Sequence, residues 1–408
     1  MERIGHRSRI CPRFPVASRT LIVESRTLPT PQPLARWRVG GLALAAGAAL
    51  ALVVAGMAEA QAREPDSERL VGQEAEAEES GLEHPSEYLV VTDFPGELTD
   101  ADLATWQEHV PDIQDVEIPS SADDYQQPAL FYAPEGEEER PLLMVLHSWS
   151  TDYQQNIDIP LAEFAVANDW AFIHPDFRGA NDGRPESTAS ELVISDMEDA
   201  LEYARENASV DESRIYLLGY SGGAMNALHL ASRQPDTFAG VAAWVPVYDL
   251  VSWHAWHEGS AEDYAEQIEG ACGGVPEEGS EAHDECVQRS PKAHVPDAAG
   301  EMRVVIAHGI HDDLVPVDQA LHAYNDLVEE EARLSQEQIE AIEENREVPD
   351  ELVERSLHQE REYPHFDAAE AAVLLHLQSG PTELVLFDGE HDMLYRPGLE
   401  WLAKQERE

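Results

Sequence analysis

Short apolar runs alternate with helical stretches along most of the chain. The run LLMVLH, residues 142–147, shows no polar alternation, which is typical of a strand buried on both faces. Runs of this kind predict strands over 142–147, 170–174, 214–218, 240–245, 302–307 and 383–387, and residues 113–118 and 127–132 are predicted strands before them. Helical spacing predicts helices over 190–206, 222–232 and 399–405. This alternation predicts an α/β fold, a doubly wound and mostly parallel sheet with helices on both faces. We expect the two earliest strands to form an antiparallel edge.

Two segments interrupt the alternation, residues 248–300 and residues 317–380. Both follow predicted strands, and loops at the carboxyl ends of parallel strands are where ligands bind in open α/β sheets. We interpret them as lid-like insertions. For residues 334–357, an acidic stretch inside the second insertion, solvated decoration is an equally good interpretation.

The first 62 residues differ in composition from the rest. Arg36 and Arg38 precede an apolar run over residues 39–57, and small residues follow it. This pattern predicts a signal peptide over residues 1–62, cleaved after Ala60 or Ala62, and a secreted or periplasmic protein. A membrane anchor is the alternative, because the run is close to spanning length.

An acidic stretch with few aromatic residues follows, over residues 63–85. It predicts a disordered linker. The remaining residues, 86–408, are then one large domain with the two insertions.

The whole chain is strongly acidic. It holds 81 acidic and 26 basic residues, for a formal net charge of -55. Such a surface repels nucleic acid and anionic membranes, so we expect neither as a partner. Acidic surfaces favour solubility, and they are also typical of proteins from high-salt habitats, where salt screens their self-repulsion. We expect a halophilic protein.

Three cysteines are present, and Cys11 is lost with the predicted signal peptide. Cys272 and Cys286 remain close together in an exported chain, which predicts a disulfide. A metal site there is less favoured, because the chain has no CxxC spacing.

The sequence LLGYSGGAM, residues 217–225, suggests a nucleophile. Ser221 lies between Gly219 and Gly223, after a buried strand and before a helix, as the nucleophile elbow of a hydrolase must. Flanking glycines allow the sharp turn to pass close to its neighbours. The alternative is a serine in an ordinary structural turn.

A serine hydroxyl needs a base, and an acid to orient that base. His391 follows the last predicted strand. The stretch HGIHDDLVP, residues 308–316, follows the preceding strand and offers Asp312 or Asp313. The order Ser, Asp, His along the chain is that of α/β-hydrolases, and we predict that fold.

An oxyanion hole requires two N–H groups directed at the developing charge. We expect one from Gly222 at the start of a helix, where N–H groups are unpaired. We expect Gly222 to matter for this N–H and not for its missing side chain. The second should come from Ser148 or Trp149, after the strand over 142–147.

Taken together, residues 126–406 resemble the catalytic domain of the prolyl oligopeptidase family, including its dienelactone-hydrolase-like and esterase relatives. The matching motifs are LHSWS (146–150), PDFRG (175–179), GYSGG (219–223), WVPVYDL (244–250), CGGVPEE (272–278), QRSP (288–291), HGIHDDLVP (308–316) and GEHDM (389–393). The resemblance implies Ser221 as nucleophile, His391 as base and Asp312 as acid. The family usually has His-Gly where this chain has His147 and Ser148, which leaves Trp149 as the expected N–H donor and Ser148 in reserve. Residues 63–125 are too few for the family's propeller, so we do not carry over proline specificity.

These features predict an exported serine hydrolase that forms an acyl-enzyme, needs no cofactor and cleaves peptide or ester bonds. Further candidates for the substrate pocket are Trp253 and Trp256, within the stretch WVPVYDLVSWHAWH (244–257), and Tyr220 beside Ser221. For the tryptophan-rich stretch, core and lid packing is the alternative. The alternative functions are a carboxylesterase for acetyl, feruloyl or dienelactone-type esters and a binding protein on an inactive hydrolase scaffold. A metal-dependent hydrolase using His308, His311, Asp312 and Asp313 is a weaker alternative, because no clear ligand motif accompanies them.

Overall fold

The computed structural model describes residues 81–85 and 98–407. The predicted signal peptide and residues 63–80 of the predicted linker lie outside the described residues. The strands are β1 (Gln114–Pro119), β2 (Gln126–Tyr132), β3 (Arg140–Leu146), β4 (Ala171–Pro175), β5 (Val210–Tyr220), β6 (Gly240–Trp244), β7 (Val304–Gly309), β8 (Val373–Ser379) and β9 (Thr382–Phe387).

Helices lie between most of these strands. They are α1 (Leu103–His109), α2 (Ile159–Ala167), α3 (Glu191–Asn207), α4 (Gly222–Arg233), α5 (Leu250–His257), α6 (Tyr264–Cys272), α7 (Glu281–Arg289), α8 (Asp318–Leu327), α9 (Gln336–Asn345), α10 (Asp350–Val353), α11 (Pro364–Ala368) and α12 (Tyr395–Leu402). Within residues 81–85 and 98–407, no helix combines the length and the apolar character needed to cross a bilayer.

The strands form one sheet in the order β1-β2-β4-β3-β5-β6-β7-β9-β8. Strands β4, β3, β5, β6, β7 and β9 run parallel to their neighbours along this inner part. Strands β1 and β2 form an antiparallel edge, as predicted, and β8 is antiparallel to β9 at the opposite edge. The predicted mostly parallel sheet of an α/β-hydrolase fold is confirmed.

Strand β3 shows why the central strands carry unbroken apolar runs. Leu142, Met144 and Leu146 pack in the core on one face of the sheet, and Leu143 and Val145 pack in the core on the other. Side chains from α3, α4, α8 and α9 complete the first core. Side chains from α1, α2, α11 and α12 complete the second. Because both faces are covered, β3 carries no polar residue after Arg140, which begins the strand and is only partly buried.

The structure corrects the second predicted insertion, residues 317–380. Its first helix, α8, packs on the sheet, and its last residues form the edge strand β8. Ile339 and Ile342 of α9 are also buried in the same core. Residues 334–357 are therefore not solvated decoration along their whole surface, since one face of their helix is part of the main core.

The first predicted insertion, residues 248–300, forms helices α5, α6 and α7. The sulfur atoms of Cys272 and Cys286 are bonded, which joins the end of α6 to α7. Both cysteines belong to a separate apolar cluster that also contains Trp149 and Trp253. This insertion is thus packed on the loop that follows β3.

The end of the predicted linker is ordered. The main chain of Glu83 and the side chain of Asn168 exchange two hydrogen bonds, of 2.8 and 2.7 Å. His84 Nε2 lies 3.3 Å from Glu400 Oε1 on α12. The prediction of disorder over residues 63–85 is therefore wrong for residues 81–85, because they gain polar partners on the domain.

A half-buried carboxylate stands at the start of α8. Asp318 Oδ1 has no hydrogen-bond partner in the part of the chain that the structure describes. Burial is the main reason that the pKa of Asp318 rises to about 6, and the nearby carboxylate of Glu343 acts in the same direction. The folded protein therefore keeps a proton that the unfolded chain releases at lower pH. The free energy of unfolding consequently falls as the pH rises from about 4 to about 6.

We predict that Asp318→Asn removes this penalty. The free energy of unfolding of the variant should exceed that of the wild type by an amount that grows from about pH 4 to about pH 6, reaching about 2–3 kcal/mol and then staying level. Denaturant unfolding over a pH series measures it. Asp350→Asn, at the exposed first position of α10, controls for the general loss of a charge. Parallel stability curves for wild type and Asp318→Asn would contradict the prediction.

Candidate active site

Ser221 occupies the turn between β5 and α4. Its backbone has φ 57° and ψ -119°, a conformation that costs a residue with a side chain about 1–3 kcal/mol. Its N–H donates to Trp244 O at 2.9 Å, which ties the turn to the end of β6. The turn holds the Ser221 side chain at the carboxyl edge of the sheet, where it is 5% exposed.

The two glycines that flank Ser221 explain how this turn is possible. A Cβ atom at Gly219 would overlap the main chain of Gly223 and Ala224. A Cβ atom at Gly223 would overlap Leu146 O and His147 O at the end of β3. No other residue type fits these two positions without movement of the main chain.

Asp312 and His391 meet at the same edge. Asp312 follows β7 and His391 follows β9, and these strands are parallel neighbours. His391 Nδ1 donates to Asp312 Oδ2 at 2.6 Å. This bond fixes which ring nitrogen of His391 carries a hydrogen and leaves Nε2 as the potential base.

The carboxylate of Asp312 is fully buried and held on both oxygens. Its Oδ1 accepts hydrogen bonds from Leu314 N at 2.8 Å and Val315 N at 2.9 Å. Burial raises the pKa of Asp312, but the imidazoles of His391 and His308 outweigh it and hold the pKa well below its ordinary value. Asp312 is therefore ionised across the range in which a histidine base works.

His308 is a contact of this carboxylate that the sequence did not single out as such. Its Nε2 donates to Val315 O at 2.9 Å and lies 3.4 Å from Asp312 Oδ2. The only signal in the sequence is its place at the start of the HGIHDDLVP motif.

Tyr220 connects the Ser221 turn to the loop of His391. Its hydroxyl donates to His391 O at 2.8 Å, and the two rings lie 5.0 Å apart. Among the described hydrogen bonds there is none between Ser221 Oγ and the His391 ring. The structure thus brings Ser221, Asp312 and His391 to one edge of the sheet. Asp312 and His391 are hydrogen-bonded there, and no hydrogen bond from the His391 ring to Ser221 is described.

The main-chain N–H groups of Gly222 and Trp149 lie next to the Ser221 turn. An ideal Cβ placed on Gly222 would lie 2.8 Å from Trp149 N, so these two residues are in close contact. Neither N–H has a hydrogen-bond acceptor among the described residues. Ser148 N, the reserve candidate, donates to Gln155 Oε1 at 2.9 Å and is occupied.

The side chain of Trp149 is also fixed. Its Nε1 donates to Gln267 Oε1 at 2.6 Å, and its ring packs edge-on against Trp253, with ring centroids 4.8 Å apart. The first insertion therefore holds the loop that carries the Trp149 N–H.

An open cavity of about 480 Å³ lies beside His391. Its lining residues include Trp256, His257, Glu262, Leu314 and Glu390. Of the three pocket candidates, Trp256 lines this cavity and is 40% exposed. Trp253 and Tyr220 do not line it, because both are buried and hydrogen-bonded, Trp253 through Nε1 to Leu314 O.

The four residues weighed as metal ligands have other partners. His311 Nε2 donates to Asp388 Oδ1, and Asp313 pairs with Arg346. In residues 81–85 and 98–407, no group of three or more His, Cys, Asp or Glu side chains is placed to hold a metal ion.

Comparison with known proteins bears on this site. Residues 183–344 match the family model described as the prolyl oligopeptidase family. That stretch includes the Ser221 turn and the Asp312 loop. Over these residues the chain carries a prolyl oligopeptidase family domain, and this match supports a serine hydrolase.

Solved structures similar to this chain include the uncomplexed acylaminoacyl peptidase of Pyrococcus horikoshii, at 16% identity and a TM-score of 0.41, over 53% of this chain and 34% of that one. Another comes from a study of two prolyl endopeptidases, at 18% identity and a TM-score of 0.41, over 52% of this chain and 32% of that one. The match thus spans about a third of the length of these structures. A comparison with curated proteins finds no match.

We predict that Gly222→Ala lowers hydrolytic activity while leaving the fold intact. The added methyl group would press on Trp149 N and Cα, so the two N–H groups must separate. We expect kcat to fall about 100-fold, as for loss of one oxyanion donor. Steady-state kinetics on an activated ester measures this.

Gly300→Ala is the matched control for that change. Gly300 has φ 79° with nothing within 4 Å of an added Cβ, so the substitution strains the backbone without touching the site. It should lower stability by about 1 kcal/mol and leave kcat unchanged. Equal kcat losses in both variants would contradict the role of Gly222.

Proposed function

We propose that the protein is an exported serine hydrolase that cleaves peptide or ester bonds through an acyl-enzyme on Ser221. The observation that carries this proposal is the 2.6 Å hydrogen bond from His391 Nδ1 to a buried, ionised Asp312, placed at the same sheet edge as the strained Ser221. The hydrogen bond orients the imidazole, and the carboxylate stabilises the imidazolium that forms during reaction.

Acylation follows from these positions. His391 Nε2 takes the proton of Ser221 Oγ as that oxygen attacks the carbonyl carbon of the substrate. The carbonyl oxygen becomes negatively charged and accepts hydrogen bonds from Gly222 N and Trp149 N. The tetrahedral intermediate then collapses, the leaving amine or alcohol takes the proton from His391, and the acyl group stays on Ser221.

Deacylation repeats the steps with water. His391 removes a proton from a water molecule whose oxygen attacks the acyl carbon. Collapse of the second intermediate breaks the bond to Ser221 Oγ, which recovers its proton from His391. The products are the free acid and the unmodified enzyme.

The first test is labelling by a fluorophosphonate probe, which reacts only with an activated serine. We expect wild type to be labelled, Ser221→Ala to be unlabelled, and kcat of Ser221→Ala to fall by about 10⁴-fold or more. Ser213→Ala, near the other end of the same strand, is the control and should be labelled like wild type. Folded wild-type protein that does not react would favour a binding protein on an inactive scaffold.

The same preparation is then assayed on p-nitrophenyl esters, aminoacyl anilides and acetylated sugars, in dilute buffer and in concentrated NaCl. Turnover of anilides supports a peptidase, in line with the family match. Turnover of esters alone makes the protein a carboxylesterase. Greater activity and thermal stability in dilute buffer than in salt would overturn the halophilic interpretation of the -55 charge.

Export is supported by an observation independent of the signal pattern. The Cys272–Cys286 bond requires an oxidising compartment to form and persist in most organisms. We expect the mature protein, recovered from its native host, to begin directly after Ala60 or Ala62. Intact mass spectrometry measures this, and a full-length chain retained in the cytoplasm with both thiols reduced would contradict export.

A further inference from the structure

The acidic segment 334–357 contains two basic residues, Arg346 and Arg355, and one of them reaches the proposed active site. Arg346 Nη1 donates to Ile310 O at 3.0 Å and to Asp312 O at 2.9 Å. Its Nη2 donates to Asp313 Oδ1 at 3.1 Å. A single guanidinium thus contacts two main-chain carbonyl oxygens and one carboxylate in the loop that carries the proposed acid.

Two sets of hydrogen-bond donors fix the loop that carries Asp312. The side chain of Asp312 accepts hydrogen bonds from Leu314 N, Val315 N and His391 Nδ1. The carbonyl of the same residue, together with Ile310 O, accepts from Arg346. The main chain and the side chain of Asp312 are therefore each fixed by their own donors.

The helix that ends at Arg346 is anchored at both ends. Arg346 ends α9, with φ 54° and its N–H donating to Ile342 O at 2.9 Å. Ser335 and Gln338 form a capping box at the other end of α9, and Ile339 and Ile342 are buried in the main core. A helix anchored in this way holds the base of the Arg346 side chain in place.

The carbonyl contacts matter more than the ion pair. The side chain of Asp313 is 91% exposed, and exposed ion pairs contribute little. Hydrogen bonds from a charged donor are stronger than neutral ones, and the guanidinium presents its donors in a rigid plane. The function of the contact is therefore to fix the loop main chain.

We infer that Arg346 is a positioning residue, which sets the position of Asp312 and through it the orientation of His391. This inference rests on the proposed function, in which Asp312 is the acid. It gives the acidic segment 334–357 a part in catalysis without contact to substrate. The physical reason is that displacement of a catalytic group by about 1 Å can lower the rate about 100-fold.

The test compares Arg346→Ala with Arg355→Ala, using an activated ester as substrate. Arg355 belongs to the same segment and donates to Ala332 O at 2.9 Å, with no hydrogen bond to the Asp312 loop. Both changes remove one positive charge from the segment. We expect Arg346→Ala to lower kcat about 10- to 100-fold with little change in KM, and Arg355→Ala to stay within about twofold of wild type.

Two further measurements separate positioning from a general structural effect. Arg346→Lys keeps a charged donor and should recover part of the kcat. In an Asp312→Ala background, which retains residual activity from the oxyanion hole, Arg346→Ala should cause less than about a twofold further loss, because the residue through which it acts is gone. Thermal melts check that each variant folds, and Arg346→Gln replaces Arg346→Ala in the cycle if the alanine variant does not.

The outcomes are distinct. Full activity of folded Asp312→Ala would overturn the acid assignment in the proposed function. A large loss in Asp312→Ala with none in Arg346→Ala would overturn the positioning role alone. Equal losses from Arg346→Ala in the wild-type and Asp312→Ala backgrounds would also overturn it, since Arg346 would then act by another route.

Discussion

The close approach of the Ser221 turn to the end of β3 is the constraint on which the site depends. Gly223 packs against Leu146 O so closely that no Cβ atom fits between them. This contact lets β5 turn directly into α4 and forces Ser221 into its unfavourable backbone conformation. It also brings the first N–H of α4 beside Trp149 N. One packing restriction therefore places both Ser221, the proposed nucleophile, and the two N–H groups that would donate hydrogen bonds to a negatively charged substrate oxygen.

The remaining chemistry follows from strand order. Because β7 and β9 are adjacent and parallel, their carboxyl ends deliver Asp312 and His391 to each other although they are 79 residues apart. The two loops are in close contact, with His311 N donating to Gly389 O at 2.9 Å and Gly309 leaving no space for a side chain against Glu390. The pairing of β7 with β9 brings these two loops together whatever the length of chain that connects the strands. A long connection between β7 and β9 is therefore compatible with the contact of Asp312 and His391.

The sequence was informative where local pattern determines structure. Apolar runs predicted eight of the strands, and Gly219, Gly223, Asp312 and His391 could be placed because each follows a buried strand in a fixed order. Strand β8 was missed because it is an edge strand with only its middle buried, and it lay inside what was interpreted as an insertion. Residues 81–85 were missed because their order comes from partners on α2 and α12, which composition does not reveal.

Two features of the site could not be predicted from the sequence, because they depend on residues that are close only in the folded structure. Gly222 was expected to matter only for its N–H, but the main chain of Trp149 lies where its side chain would be. Arg346 gave no signal beyond being a basic residue among acidic ones, since its partners are carbonyl groups and carbonyl groups carry no sequence signature. Trp253 could be interpreted either as pocket or as core, and only its contacts with Trp149 and Leu314 separate the two.

Two acceptors of Arg346 are main-chain carbonyl oxygens, and this affects how the proposed active site responds to pH and salt. The chain holds 81 acidic residues, and most arginines within residues 98–407 pair with a carboxylate, as Arg178, Arg205 and Arg233 do. Such pairs weaken as acid protonates the carboxylate or as salt screens the charges. Main-chain carbonyl groups are not protonated at the pH values that protonate a carboxylate, and they carry no net charge. The contacts of Arg346 with Ile310 O and Asp312 O, unlike its pair with Asp313, are therefore insulated from the acidity and ionic strength to which the rest of the surface responds.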